Sequence, residues 1–273
     1  MSRNRDTDVD AALESALESA LGYADREQLA PARRAVLRRE RRPYGDLLVG
    51  TAEAVSGDAP GKSAVRAAAA VELLRGYCLL RCDLLADVRA AAVDAAGDDS
   101  TAGADTTASL LAGDYLQTSA YSTLGAASTD RLDDCFGTLV AVSRRMSEGF
   151  SRMHDAPSPS AAEYRSLLDA TVGALGEGAA VIGATLAGAD RGRRDRLAAL
   201  GRQFGALRHL QFDRTAPSAG ARFGVDVDRE ALDDHRRRLA TNLDDALGDL
   251  ADAADVRRLR AAVESGLPDG SIR

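Results

Sequence analysis

Apolar residues recur along this chain with the period of helices, and no run alternates as a half-buried strand would. Leucines at 13, 17 and 21 share one face, so Asp10 to Ala24 predicts an amphipathic helix. Pro31 can open a second helix, which the basic run before Pro43 closes. Asp46 to Val55 is a third. Ser63 to about Ala96 reads as one long alanine-rich helix, and Gly97 to Asp105 as a polar loop. Thr107 to Gly125 and Asp130 to Asp155 predict two more. Pro157 and Pro159 interrupt the chain, and Ser160 then caps a helix over Ala161 to Ala189. Arg193 to Asp213 follows. Pro217 to Asp226 is a loop, and Arg229 to Leu247 and Val256 to Ser265 close the chain. No stretch is linker-like enough to force a boundary, so residues 1–273 are expected to form a single all-α domain.

Composition narrows the classes of function. No segment approaches the ~20 apolar residues of a membrane span, and the N-terminus lacks the apolar core of a secretory signal, so a cytoplasmic protein is expected. Three cysteines make no disulfide framework in a chain this long. The formal net charge is −7, and aspartate outnumbers glutamate. Lys62 is the chain's lysine; the other basic residues are arginines. This balance resembles the carboxylate-dense surface of halophilic cytosolic proteins. It argues against a nucleic-acid partner, because neutralising phosphates takes clustered cations. The strongest basic cluster runs from Arg33 to Arg42.

Several motifs have bland alternatives. Gly57-Asp-Ala-Pro-Gly61-Lys62-Ser63 is one residue short of a phosphate loop and follows no strand, so it reads as a turn before a helix. Cys78 and Cys82 share a helix face as small buried residues. The histidines at 154, 209 and 235 are far apart in sequence and make no catalytic pattern with a serine or cysteine.

One segment is more specific. Leu110-Leu-Ala-Gly-Asp-Tyr-Leu, continuing to Tyr121, resembles the helix after the first aspartate-rich motif of the trans-isoprenyl diphosphate synthases. The likeness extends from about Arg38 to the last helix. Arg38-Arg-Glu40-Arg-Arg42-Pro43 is similar to the family's diphosphate-binding Gly-Gly-Lys-Arg-x-Arg-Pro; Arg39 takes the lysine position and Arg42 the last arginine. Glu72-Leu-Leu-Arg75 through Arg81-Cys82-Asp83-Leu-Leu-Ala86-Asp87 is similar to the first aspartate-rich motif, with Cys82 and Ala86 at the outer aspartates and Asp83 at the middle one. Ser147-Glu148-Gly149-Phe150 resembles Glu-Gly-Gln. Thr171 takes the place of the family's diphosphate-binding lysine. The second motif aligns with Phe212-Asp213-Arg-Thr-Ala216, where Phe212 and Ala216 again stand at the outer aspartates.

The resemblance implies an all-α isoprenoid synthase-like helical bundle around a central cavity, with an N-terminal helix over residues 1–30 and a core of about 38–265. It implies prenyl transfer, in which magnesium ions on paired carboxylates stabilise a departing diphosphate. Losing the outer aspartates of both motifs implies a protein inactive alone, which needs no cofactor, with Mg2+ entering only if activity remains. The expected partner is an isoprenyl diphosphate synthase, in a homo- or heterodimer where this chain is a non-catalytic or regulatory subunit; the alternatives are an active prenyltransferase with an altered metal site and a module that binds a prenyl diphosphate. The candidate substrate-binding residues are Arg39, Arg42 and Asp114. If metal binds at all, the candidate ligands are Asp83, Asp87 and Asp213. Asp83 and Asp87, at i and i+4, form an alternative carboxylate pair rotated about 100° around the helix; a solvated pair is the plainer reading in so acidic a chain.

Overall fold

The computed structural model describes residues 2–22, 24, 27–37, 42–93, 101–156, 158–213, 227–251 and 256–267. Arg39, Ala216 and the loop expected over Pro217 to Asp226 lie outside the described residues, as does the Asp213 side chain. The described residues contain helices and no strand. The helices are α1 (Ser2–Ala20), α2 (Ala30–Leu37), α3 (Pro43–Ser56), α4 (Lys62–Val93), α5 (Thr101–Gly125), α6 (Leu132–Asp155), α7 (Ala161–Leu168), α8 (Ala174–Leu186), α9 (Arg191–Asp213), α10 (Arg229–Ala251) and α11 (Arg257–Gly266).

Apolar periodicity places them. Leu13, Leu17 and Leu21 are buried, as one amphipathic face requires. α4 is different. Ala67 to Leu74 are buried on every side, so this helix lies inside the bundle rather than on its surface. It packs along α5 and also meets α1, α2, α3 and α8. α5 runs antiparallel to it: the Arg66 guanidinium donates to the Ala126 carbonyl at one end, while Gly113 lies against Tyr77 and Arg81 at the other. α3 is held between α4, α8 and α11.

α8 and α9 approach through glycine. A Cβ on Gly201 would collide with the Gly176 carbonyl oxygen, and one on Gly205 with the Val172 carbonyl oxygen. Contact this close needs backbone against backbone.

Helix ends follow local chemistry. The Ser160 hydroxyl accepts from the Glu163 amide at 3.3 Å, and Glu163 Oε2 accepts from the Ser160 amide at 2.8 Å, a reciprocal cap. The run expected over Ala161 to Ala189 has two departures. Asp169–Gly173 widens into a π-turn between α7 and α8. The helix then stops at Leu186 because Gly188 adopts φ 82°, a left-handed conformation that accommodates glycine. Likewise α5 begins at Thr101, inside the stretch expected to be a loop. The Ala161–Leu186 run is long and apolar enough to cross a membrane, but 78 % of its apolar window is buried in the bundle, which marks a core element.

Candidate active-site region

The elements that carry the sequence candidates are α4, α5, α6 and α9, with α3 at one end. On α4 the buried side chains at Glu72, Arg75, Cys78 and Cys82 follow one another at helical spacing. Cys82 is 5 % exposed, and Ala86 is half-buried one turn further on. Asp83 and Asp87 lie on the exposed side of the same helix. Positions 83 and 87 lie about 100° around the helix from 82 and 86, and at this end of α4 that face is exposed.

Glu72 is fully buried and well satisfied. Its Oε1 accepts from the Tyr44 and Gly45 amides at 2.9 Å each, and its Oε2 accepts from Arg75 Nε at 2.5 Å. The carboxylate thus caps the first turn of α3, where amides lack helical partners. Beside it, burial pushes the Tyr44 hydroxyl well above the ordinary phenol range, against the pull of the Arg208 and Arg75 guanidinium groups. Arg208 reaches the Gly266 carbonyl and lies 4.5 Å over the Phe212 ring. Phe212 therefore brings a cation to the end of α9 as a stacked partner. Tyr44 also meets Phe204 of α9 edge to face, with centroids 5.8 Å apart.

Between α4 and α6 the contacts are apolar. Phe150 of α6 packs edge to face on Tyr77 of α4, centroids 6.1 Å apart. Thr171, in the π-turn, is buried and gives its hydroxyl back to the Leu167 carbonyl at 2.7 Å. Its methyl fills the space that a side chain at Gly149 would need. His209 Nε2 is 3.2 Å from the Tyr164 hydroxyl, and both are buried.

Two of the expected substrate-binding residues, Arg42 and Asp114, are engaged by protein groups. Arg42 donates to the Val36 carbonyl at 2.5 Å and to Glu14 at 3.2 Å, tying α1 to the start of α3. Asp114 is 66 % exposed and takes Arg81 Nη2 at 2.6 Å, while Arg81 also lies over the Tyr77 ring. Sequence reasoning missed this pairing; the charge-opposed match of Arg81 and Asp114 was visible, but their contact depends on the α4–α5 register.

A magnesium cluster needs several hard oxygen ligands converging at about 2.0–2.1 Å. Cys82 and Ala86, which the resemblance aligns with outer aspartates, supply a thiol and a methyl, and among the described residues no three His, Cys, Asp or Glu side chains gather as a metal site. The donor set of the described residues does not fit such a cluster.

No family model and no curated protein sequence matches the chain. Solved structures do. The chain is similar to the geranyl diphosphate synthase small subunit of Antirrhinum majus, with TM-score 0.70, 18 % identity, and 97 % and 99 % of the two chains covered. It is similar to the geranylgeranyl pyrophosphate synthetase of the archaeon Geoglobus acetivorans, with TM-score 0.68, 19 % identity, and 97 % and 96 % covered. It is also similar to the geranyltransferase of Helicobacter pylori complexed with magnesium and isoprenyl diphosphate, with TM-score 0.69, 15 % identity, and 94 % and 97 % covered. The chain has the all-α fold of the trans-prenyl diphosphate synthases over nearly its whole length.

Proposed function

We propose that the chain is a polyprenyl synthetase-like protein of isoprenoid biosynthesis that acts in the cytosol as a non-catalytic or regulatory subunit beside an active isoprenyl diphosphate synthase. The observation that carries this reading is the inward face of α4. Arg75, Cys78 and Cys82 point into the bundle, whereas Asp83 and Asp87 are exposed. Ionising an allylic diphosphate creates charge that metal ions and fixed cations must stabilise. Losing even one such electrostatic group lowers a rate by about 10²–10³. Here thiol, methyl and phenyl groups replace the outer aspartates of both motifs, and a threonine replaces the lysine.

Pairing has its own support. Phe136 and Val140 are exposed one turn apart on α6, and Phe136 packs against Tyr121 of α5 with centroids 5.6 Å apart. Leu110 and Leu111 are exposed on α5. Exposed apolar side chains on two helices that pack against each other suit a protein partner better than water. The Antirrhinum protein of like fold is itself a small subunit. The test mixes the purified chain with the active synthase of its own host. Co-elution and a changed product distribution are expected; independent elution with unchanged products would count against the proposal.

A second reading, a module that holds a prenyl diphosphate without turning it over, is favoured by two cations, Arg208 and Arg75, that act on the same buried Tyr44 hydroxyl and oppose the upward push of its burial. Calorimetric titration with farnesyl diphosphate, with and without magnesium, separates it. Metal-independent binding supports this reading, and absence of binding removes it.

A further inference from the structure

A slot of about 860 Å³ runs between α1, the start of α4 and the second half of α5. It shares no lining residue with the α4–α9 region described above. Its volume lies within the range of small-molecule sites, about 300–1,000 Å³.

The slot has a direction. Asp8, Lys62 and Arg66 line one end, and at the other Tyr115 meets Ala20. The Tyr115 hydroxyl donates to the Ala20 carbonyl at 2.8 Å, which fixes that end. Along α1, Asp8 to Ala20 spans about 18 Å at the helical rise. Both walls carry short side chains, with Ala12, Ser15 and Ala16 on α1 facing Thr118, Ser119 and Ser122 on α5. Val9 and Val65 add apolar surface near the charged end.

Among the described lining residues that end is net positive. Lys62 and Arg66 are one turn apart on α4 and outweigh Asp8. The contact of Arg66 with the Ala126 carbonyl pins its guanidinium at the mouth and uses part of a fork of five donors. The first amides of α4 add the positive end of a helix of 32 residues. A groove about 18 Å long with short side chains, basic at one end and bounded at the other by Tyr115, matches a ligand with the same asymmetry.

We propose that this slot binds a single apolar chain with an anionic head, the head at Lys62 and Arg66 and the tail running along α1 toward Tyr115. A fatty carboxylate and a prenyl monophosphate share that chemistry. The proposal does not depend on the subunit reading, because it concerns a different surface.

The experiment follows 11-(dansylamino)undecanoic acid, whose emission rises on entering an apolar site. The chain has no tryptophan to interfere. Uptake at micromolar concentration is expected, with displacement by dodecanoate or by farnesyl monophosphate identifying the head group. Ser15→Phe and Ser122→Phe stand at exposed positions on opposite walls and should each abolish uptake while leaving the thermal transition in place. Lys62→Glu combined with Arg66→Glu should weaken binding about tenfold. Arg191→Glu, remote from the slot, should bind as the parent does. No uptake by the parent, or uptake unchanged in both phenylalanine variants, would overturn the proposal. Should one phenylalanine variant fail to fold, the other and the charge pair decide.

Discussion

Arg75 Nε lies 2.5 Å from Glu72 Oε2 inside the bundle, and the same carboxylate caps α3 through the Tyr44 and Gly45 amides. One buried anion therefore joins α3 to α4 at the head of the candidate site. Neutralising it takes the carboxylate charge away from the buried Arg75 guanidinium, while an amide carbonyl in its place still accepts from the two helix-terminal amides. Glu72→Gln is expected to destabilise the fold by about 3–5 kcal/mol, read from urea unfolding. A change within about 0.5 kcal/mol would show that the pair is not the joint described here.

The α8–α9 contact makes a second prediction. Gly201 lies backbone to backbone with Gly176, so a methyl group has nowhere to go. Gly201→Ala should cost about 1–3 kcal/mol by forcing the helices apart, although alanine is the better helix former. A stabilised Gly201→Ala protein in thermal unfolding would mean the helices are further apart than described.

His235 gives the fold a pH dependence. Its folded pKa is lowered to about 4, first by burial and then by Arg165 and Arg238. In the unfolded chain the imidazole titrates near its ordinary value of about 6.5. Between those values the unfolded state binds the extra proton, so the stabilising contribution is complete above about 6.5 and is lost as pH falls toward about 4. Replacing the ring in His235→Gln should flatten the stability profile across that window. Equal slopes for the two proteins in denaturant titrations from pH 7 to 4 would refute the assignment.

The apolar face on α5 and α6 is testable without chemistry. Val140→Asp sits at an exposed position and should leave the monomer's thermal transition unchanged. It should abolish co-elution with the partner synthase, seen by light scattering. Retained pairing would move the interface elsewhere.

Much of this architecture could be read from residues alone. The leucines at 13, 17 and 21 and the Ser160 cap are local signals, and each appears where expected. The Ala161–Leu186 run reads as one helix because nothing in its composition marks the π-turn at Asp169–Gly173. Its wider turn coincides with the tertiary contacts of that segment with α6 and α9. In the same way, Glu72 stood in the sequence only as the start of the stretch similar to the first aspartate-rich motif. Its role as a cap for α3 depends on contacts 27 and 28 residues away in sequence. Asp83 and Asp87 showed the limit of spacing as evidence. Helical geometry said they share a face, and only the packing of α4 said which face that is.

The central claim concerns turnover. The purified chain, given dimethylallyl and isopentenyl diphosphates with excess magnesium in high salt, is predicted to form no prenyl product above the protein-free control. Product formed at a rate near that of an active synthase, and abolished by Asp83→Ala, would contradict it.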